Sequence, residues 1–190
     1  MKCLLAAFAS LLMLTGGASA GTIHVPGDAL TIQGAIVMAT SGDTILVAPG
    51  AYVEEIDLLG KQLVIEGTGG AAVTTIDANG QGRTVTVNTG EPAGTRLAGF
   101  TITGGTGGIV NLGELTSNCG GGLYVGSGAH LDLSDCMVTG NSVGSSGNSV
   151  GGGMAAHQST VTVTGCTFSG NTGQRGAAFS VPTGGTLVAV

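Results

Sequence analysis

The stretches "GGGLYVGSGAHLDLSDCMVTGN", residues 120–141, and "GGGMAAHQSTVTVTGCTFSGN", residues 151–171, are two copies of one unit. Cys136 and Cys166 lie thirty residues apart, as do Asn141 and Asn171, Leu131 and Val161, and Leu133 and Val163. The glycine clusters are offset by one more, from Gly122 to Gly153, so the turn between the copies has gained or lost a residue. A third copy opens at "GAAFSVPTGGTLVAV", residues 176–190. Repetition at this period marks a solenoid, in which each unit buries its apolar face only against its neighbours.

Within a unit the apolar period is two. In "HLDLSDCMV" Leu131 and Leu133 alternate with His130, Asp132 and Ser134; after a kink near Asp135, Cys136 and Val138 point one way. The second copy repeats this with Val161, Val163, Cys166 and Phe168. Short strands joined by turns and stacked coil on coil make a parallel β-helix, with Gly at the bends and Asn at left-handed turn positions. Asn141 and Asn171 are expected to stack one coil apart, each amide bonding its neighbour. Cys136 and Cys166 have inward parity and are expected about 4.8 Å apart, the spacing of adjacent strands. They read as buried thiols acting as small apolar groups, with an inter-coil disulfide as the alternative.

The same vocabulary runs toward the N-terminus. "DTILVAP", "QLVIEG", "TTIDANG", "RTVTVN" and "RLAGFTITGG" are short strands ended by Gly, Pro, Asn or Asp. Ahead of them "TIQGAIVMA", 31–39, sets Ile32, Ala35, Ile36 and Ala39 on one helical face with Thr31 as N-cap. This predicts a helix that covers the first coil, with coils over about 43–190. The third copy stops at Val190, before its Cys-x-Phe-x-x-Asn half, which reads as truncation of a longer solenoid.

Composition agrees with this plan. Glycine is 38 of 190 residues, far above the ordinary 7% or so, yet 42% of residues are hydrophobic, so there is a core to bury. Only 8% are charged and the net charge is −6, which leaves no basic stripe for nucleic acid. The first 20 residues read as an export signal: Lys2, the apolar "LLAAFASLLML", then "ASA" at 18–20. That apolar run is too short to span a bilayer, and no other segment is long enough. Signal removal takes Cys3 and leaves Cys119, Cys136 and Cys166, an odd number that rules out a complete disulfide framework.

These residues resemble two related groups. "GGLY" (121–124), "GGMA" (152–155) and "FSGN" (168–171) are similar to the Gly-Gly-apolar and Phe-x-x-Asn repeats of polymorphic outer membrane proteins, with Val138 replacing Phe in "VTGN". The segment "TIQGAIVMATSGDTILVAPGAYVEEIDLLGKQLVIEG" resembles the opening coils of pectin-lyase-like proteins, pectin methylesterases included. The resemblance implies an all-β, right-handed parallel β-helix over residues 21–190 with a short N-terminal capping helix. It specifies fold strongly and activity weakly.

Candidate chemistry is sparse. "GAYVE", Gly50 to Glu54, resembles the Gly-x-Tyr-x-Glu segment of the methylesterases, but their downstream glutamine and aspartate motifs are missing, as are the paired aspartates of polygalacturonases. Tyr52 and Glu54 therefore read as structural. His130, Asp132 and Ser134 share a strand face, but residues two apart sit roughly 6.5–7 Å from each other, too far for a hydrolytic triad. "DANGQG", 77–82, opens like a calcium loop at Asp77 and Asn79, then has Gln81 and Asn88 where acids belong; a turn is the better reading. His24, His130 and His157 have no metal-ligand spacing with the cysteines. Outward threonines, namely Thr84 and Thr86, Thr101 and Thr103, and Thr160, Thr162 and Thr164, fit strand propensity, with sugar or ice binding as lesser alternatives.

No residue is assigned a catalytic, cofactor-binding or metal-binding role. The reading is a secreted or cell-surface protein, in the outer membrane or outside the cell, with a structural, adhesive or surface-binding role and no catalysis of its own. A polysaccharide or a host or cell-surface ligand is the expected partner. The alternative is a polysaccharide-active lyase, hydrolase or esterase, or a carbohydrate-binding module, whose active coils lie beyond Val190.

Overall fold

The structure, a computed structural model, describes residues 19–111, 116–144, 149–181 and 184–189. The export signal read at 1–20 falls outside these residues except for its last two, and the proposed break at Val190 falls outside them as well.

The described residues form an all-β, parallel, solenoid-like fold with one short helix. A seven-stranded parallel sheet runs through Thr22–Val25, Thr44–Val47, Val64–Gly67, Arg96–Ala98, His130–Ser134, Thr160–Thr164 and Thr186–Ala189. A five-stranded sheet runs through Gly50–Val53, Thr74–Asp77, Thr101–Thr103, Met137–Thr139 and Thr167–Ser169. A second holds Ile56–Asp57, Val85–Val87, Leu123–Val125, Met154–Ala156 and Phe179–Ser180. From Thr44 onward the chain visits the three in this order on successive windings, while the helix follows the first strand.

Period two sends alternate side chains inward, and register stacks them. In the long sheet the column is Ile23, Ile45, Ile65, Leu97, Leu133, Val163 and Ala189. The five-stranded sheets supply Tyr52, Ile76, Ile102, Val138 and Phe168, and Ile56, Val85, Leu123, Met154 and Phe179. Leu131 pairs with Val161 in the same register, as the thirty-residue spacing predicts. Leu123 pairs with Met154 and Val125 with Ala156, offset by one residue more, while His130 pairs with Thr160, so the extra residue of the first copy lies in the turn between Val125 and His130. Burial of these columns is the main stabilising term, at about 25 cal/mol for each Å² of apolar surface removed from water.

The kink read at Asp135 is a left-handed residue, φ 53°, and Gly99 and Gly165 hold the same corner on the windings either side. Its neighbour Cys136 turns inward again, so one strained residue reorients the chain between two sheets.

The asparagine ladder is present. Asn141 is fully buried and its Nδ2 donates to Asn171 Oδ1 at 3.0 Å, while the Asn141 amide donates to the same oxygen at 3.1 Å. Its Nδ2 also reaches the carbonyls of Ile102 (3.0 Å) and Thr139 (3.1 Å). Asn141 Oδ1 accepts from the Gly105 amide at 3.0 Å, which carries the ladder back one more winding. Asn171 Nδ2 donates to the Val138 carbonyl at 2.8 Å. A side-chain amide satisfies backbone groups at a corner where strand ladders cannot.

The helix spans Ile32–Met38, within the expected 31–39, and Thr31 Oγ1 accepts from the Gly34 amide at 3.0 Å as its N-cap. Ile32, Ala35 and Ile36 face the first windings and are fully buried. Two charges fasten the helix. The Glu54 carboxylate accepts from the Ile32 and Gln33 amides at 2.9 and 2.8 Å, and Lys61 Nζ donates to the carbonyls of Ile36, Val37 and Ala39. An anion at the N-terminus and a cation at the C-terminus both complement the helix dipole.

Two features depart from the sequence expectations. Gly108–Asn111 and Thr116–Cys119 form an antiparallel pair outside the windings, where no strand was expected. Thr84 does not face outward: it is fully buried, and its hydroxyl donates to the Thr103 carbonyl at 2.9 Å, tying two sheets at a corner.

Candidate functional site

The residues weighed for chemistry are held by the fold in other ways. Tyr52 donates its hydroxyl to the Ala48 carbonyl at 2.9 Å, and burial raises its pKa, with the Glu54 charge adding to the shift. Glu54 is engaged with the helix.

His130, Asp132 and Ser134 occupy one strand, and no hydrogen bond joins their side chains. The Ser134 hydroxyl meets Arg96 Nε at 3.1 Å instead, one winding back. On the next winding they face Thr160, Thr162 and Thr164. Asp77 Oδ1 accepts from the Asn79 amide at 2.7 Å, and Asn79 and Gly80 both take left-handed angles, so "DANGQG" is an Asx-type turn. Among the described residues no three His, Cys, Asp or Glu side chains gather in a group able to hold a metal ion. His24 pairs locally with Asp28 at 3.2 Å, and its hydrogen bonds hold the Asp28 carboxyl below the usual range.

Buried carboxylates serve the backbone. Asp43 accepts from the amides of Gly21 (2.6 Å) and Thr40 (2.7 Å), and these bonds, Thr40 foremost, lower its pKa. Fully buried Glu91 accepts from the Gly60 amide at 2.9 Å and the Thr89 amide at 3.0 Å. Arg83 donates from Nε to the Cys119 carbonyl at 3.0 Å and from Nη2 to the Gly108 carbonyl, and lies 4.6 Å from the Tyr124 ring centroid. Burial lowers its pKa and raises those of Tyr124 and Cys119 beside it. This cluster anchors the antiparallel hairpin to the solenoid, with a cation over an aromatic face.

One polar groove gathers charged groups that sequence reading did not connect. It encloses about 320 Å³ and is lined by Glu66, Arg96 and Asp135 with the backbone of Gly67, Gly69, Gly70 and Gly99. The three charged residues come from successive windings, so only register brings them together. A second cavity of about 180 Å³ is apolar and is lined by Met154, Val163, Cys166, Phe168, Phe179 and Leu187, with Ala189 at its edge.

Cys136 and Cys166 meet as expected. The Cys136 amide donates to Cys166 Sγ at 3.4 Å, and both are free thiols, as is buried Cys119. The side-chain contact with Cys136 lowers the Cys166 pKa to about 7, and the same contact, with burial, pushes the Cys136 thiol up. No helix among the described residues is long and apolar enough to cross a membrane. Comparison with protein-family models, with curated proteins and with solved structures gives no match.

Proposed function

We propose that the chain is a right-handed parallel β-helix of the pectin-lyase-like kind, closest to polymorphic outer membrane protein repeats. It acts as an exported, surface-displayed rod with a structural or adhesive role. The reading is supported chiefly by how polar side chains are used. Glu54, Lys61, Asp43, Glu91, Arg83 and Asn141 each bond backbone groups, most of them more than twenty residues away in sequence. These side chains tie windings to one another and the helix to the windings. The test is fractionation of cells that express the chain, with protease added to intact cells. Cleavage of the chain on the outside is expected; a chain protected inside the cell overturns the surface reading.

A second reading rests on the groove of Glu66, Arg96 and Asp135. Charged hydrogen-bonding groups from Glu66, Arg96 and Asp135, beside glycine backbone that lets a ligand approach closely, suit a hydroxyl-rich sugar. Incubation with polygalacturonate, with and without Ca²⁺, separates the two. Release of unsaturated or reducing ends places the protein among polysaccharide-active enzymes; retention on the polymer, lost in Arg96→Ala, makes it a sugar-binding module.

A further inference from the structure

We propose that Cys136 and Cys166 form a redox couple: a low-molecular-weight disulfide converts them to a bond across adjacent windings, with Cys166 attacking first. The geometry comes from register. Ser134 pairs with Thr164 and Met137 with Thr167, so the two cysteines occupy equivalent corner positions on neighbouring windings. Adjacent strands lie about 4.8 Å apart, inside the roughly 4.4–6.8 Å span of Cα separations that a disulfide bridges. Cys166 Sγ already sits against the Cys136 amide at 3.4 Å.

Access sets the order. Cys136 is buried beneath both neighbours, whereas Cys166 is half-buried and lines the apolar cavity with Val163, Phe168 and Phe179. The side-chain contact with Cys136 makes Cys166 the more acidic thiol of the two, and the thiolate is the nucleophile. Its sulfur attacks the disulfide RSSR, forming Cys166–S–S–R and releasing RS⁻. Cys136 then loses its proton to RS⁻ and its sulfur attacks Cys166 Sγ, forming the Cys136–Cys166 bond and releasing a second RS⁻, which solvent protonates. The protein dithiol is oxidised by two electrons and RSSR is reduced to two RSH. Cys119, buried and with a raised pKa, takes no part. The inference rests on the winding register alone and not on the surface role.

The experiment treats the reduced chain with oxidised glutathione and maps thiols by mass spectrometry. Cleavage before aspartates and after methionines places Cys119, Cys136 and Cys166 in separate fragments. The expected product joins the Cys136 and Cys166 fragments, leaves Cys119 free, and raises the unfolding midpoint by about 10 °C, the size that closing a thirty-residue loop gives. The rate of thiol loss rises through about pH 7. Cys136→Ser traps glutathione on Cys166, whereas Cys166→Ser leaves Cys136 unmodified. Cys136 and Cys166 both free after oxidation, or a Cys119–Cys166 link, overturns the couple; equal glutathione capture by Cys136 and Cys166 overturns the order of attack.

Discussion

The two ends of the described solenoid bury their core in different ways. At the Thr22–Val25 end a helix lies against the first windings, and Ile32, Ile36, Ile45, Ile56 and Ile65 are all buried. At the Thr186–Ala189 end the inward residues Val163, Phe168 and Leu187 are only partly buried, and Phe179 is 45% exposed. Phe168 and Phe179 meet edge to face with centroids 6.0 Å apart, and the small apolar cavity opens beside them. A winding in a solenoid derives its burial from the winding on each side. Where another element lies over the core, the column is fully buried; where no described residue lies over it, equivalent repeat positions are less buried.

The comparison is sharpest at the asparagines, which hold one motif position on two windings. Asn141→Ala removes the buried bonds to the Ile102 carbonyl and Asn171 Oδ1 and leaves the Gly105 amide without its acceptor, and is expected to cost about 3 kcal/mol. Asn171→Ala, at a partly buried corner, is expected to cost about 1–2 kcal/mol. Denaturant unfolding of the two variants measures the gap; equal losses would break the distinction between the ends.

Apolar truncation probes the same contrast. Ile65→Ala, fully buried near the helix, is expected to cost about 3–4 kcal/mol, and Val163→Ala, in the same column but partly exposed, about 1 kcal/mol. Next in size is the helix attachment. Glu54→Ala removes two charge-assisted bonds to the Ile32 and Gln33 amides, and a loss of about 2 kcal/mol is expected. Hydrogen exchange of the helix amides should quicken in this variant while that of the His130–Ser134 strand stays unchanged.

The smallest expected effect is in acid. The Thr40 and Gly21 amides hold the folded Asp43 carboxyl below its ordinary 3.8, so Asp43 stabilises the fold fully above that value. The contribution is lost as pH falls through the lower folded-state pKa. Asp43→Asn should flatten this part of the acid-unfolding profile and leave the neutral baseline sloping no differently; an unchanged acid limb would show that the carboxylate contributes nothing there.

The windings were legible because the repeat is written in side chains that must stack. Leu131 over Val161, Cys136 beside Cys166 and the Asn141–Asn171 bond all follow from one thirty-residue spacing. The helix was legible from its own period and its Thr31 cap. What joins the helix to the solenoid was not, because Glu54 and Lys61 reach partners more than twenty residues away with no local pattern to mark them. The antiparallel hairpin lies outside the repeat, so no repeat position marks its register. Thr84 reads as outward by strand parity, yet it sits at a corner where parity is reset and its hydroxyl has an inward carbonyl to meet. The groove was hidden for a related reason. Glu66, Arg96 and Asp135 become neighbours only once three windings are aligned.

The stacked column is open to direct measurement by methyl nuclear Overhauser spectroscopy on selectively labelled protein. Ile45, Ile65, Leu97, Leu133 and Val163 should give a single chain of contacts, each methyl group seeing only the one before and the one after, with Leu131 seeing Val161. Leu131 and Val161 without a cross-peak, or Ile65 in contact with Val163 directly, would contradict the winding order on which the fold and the thiol pairing both depend.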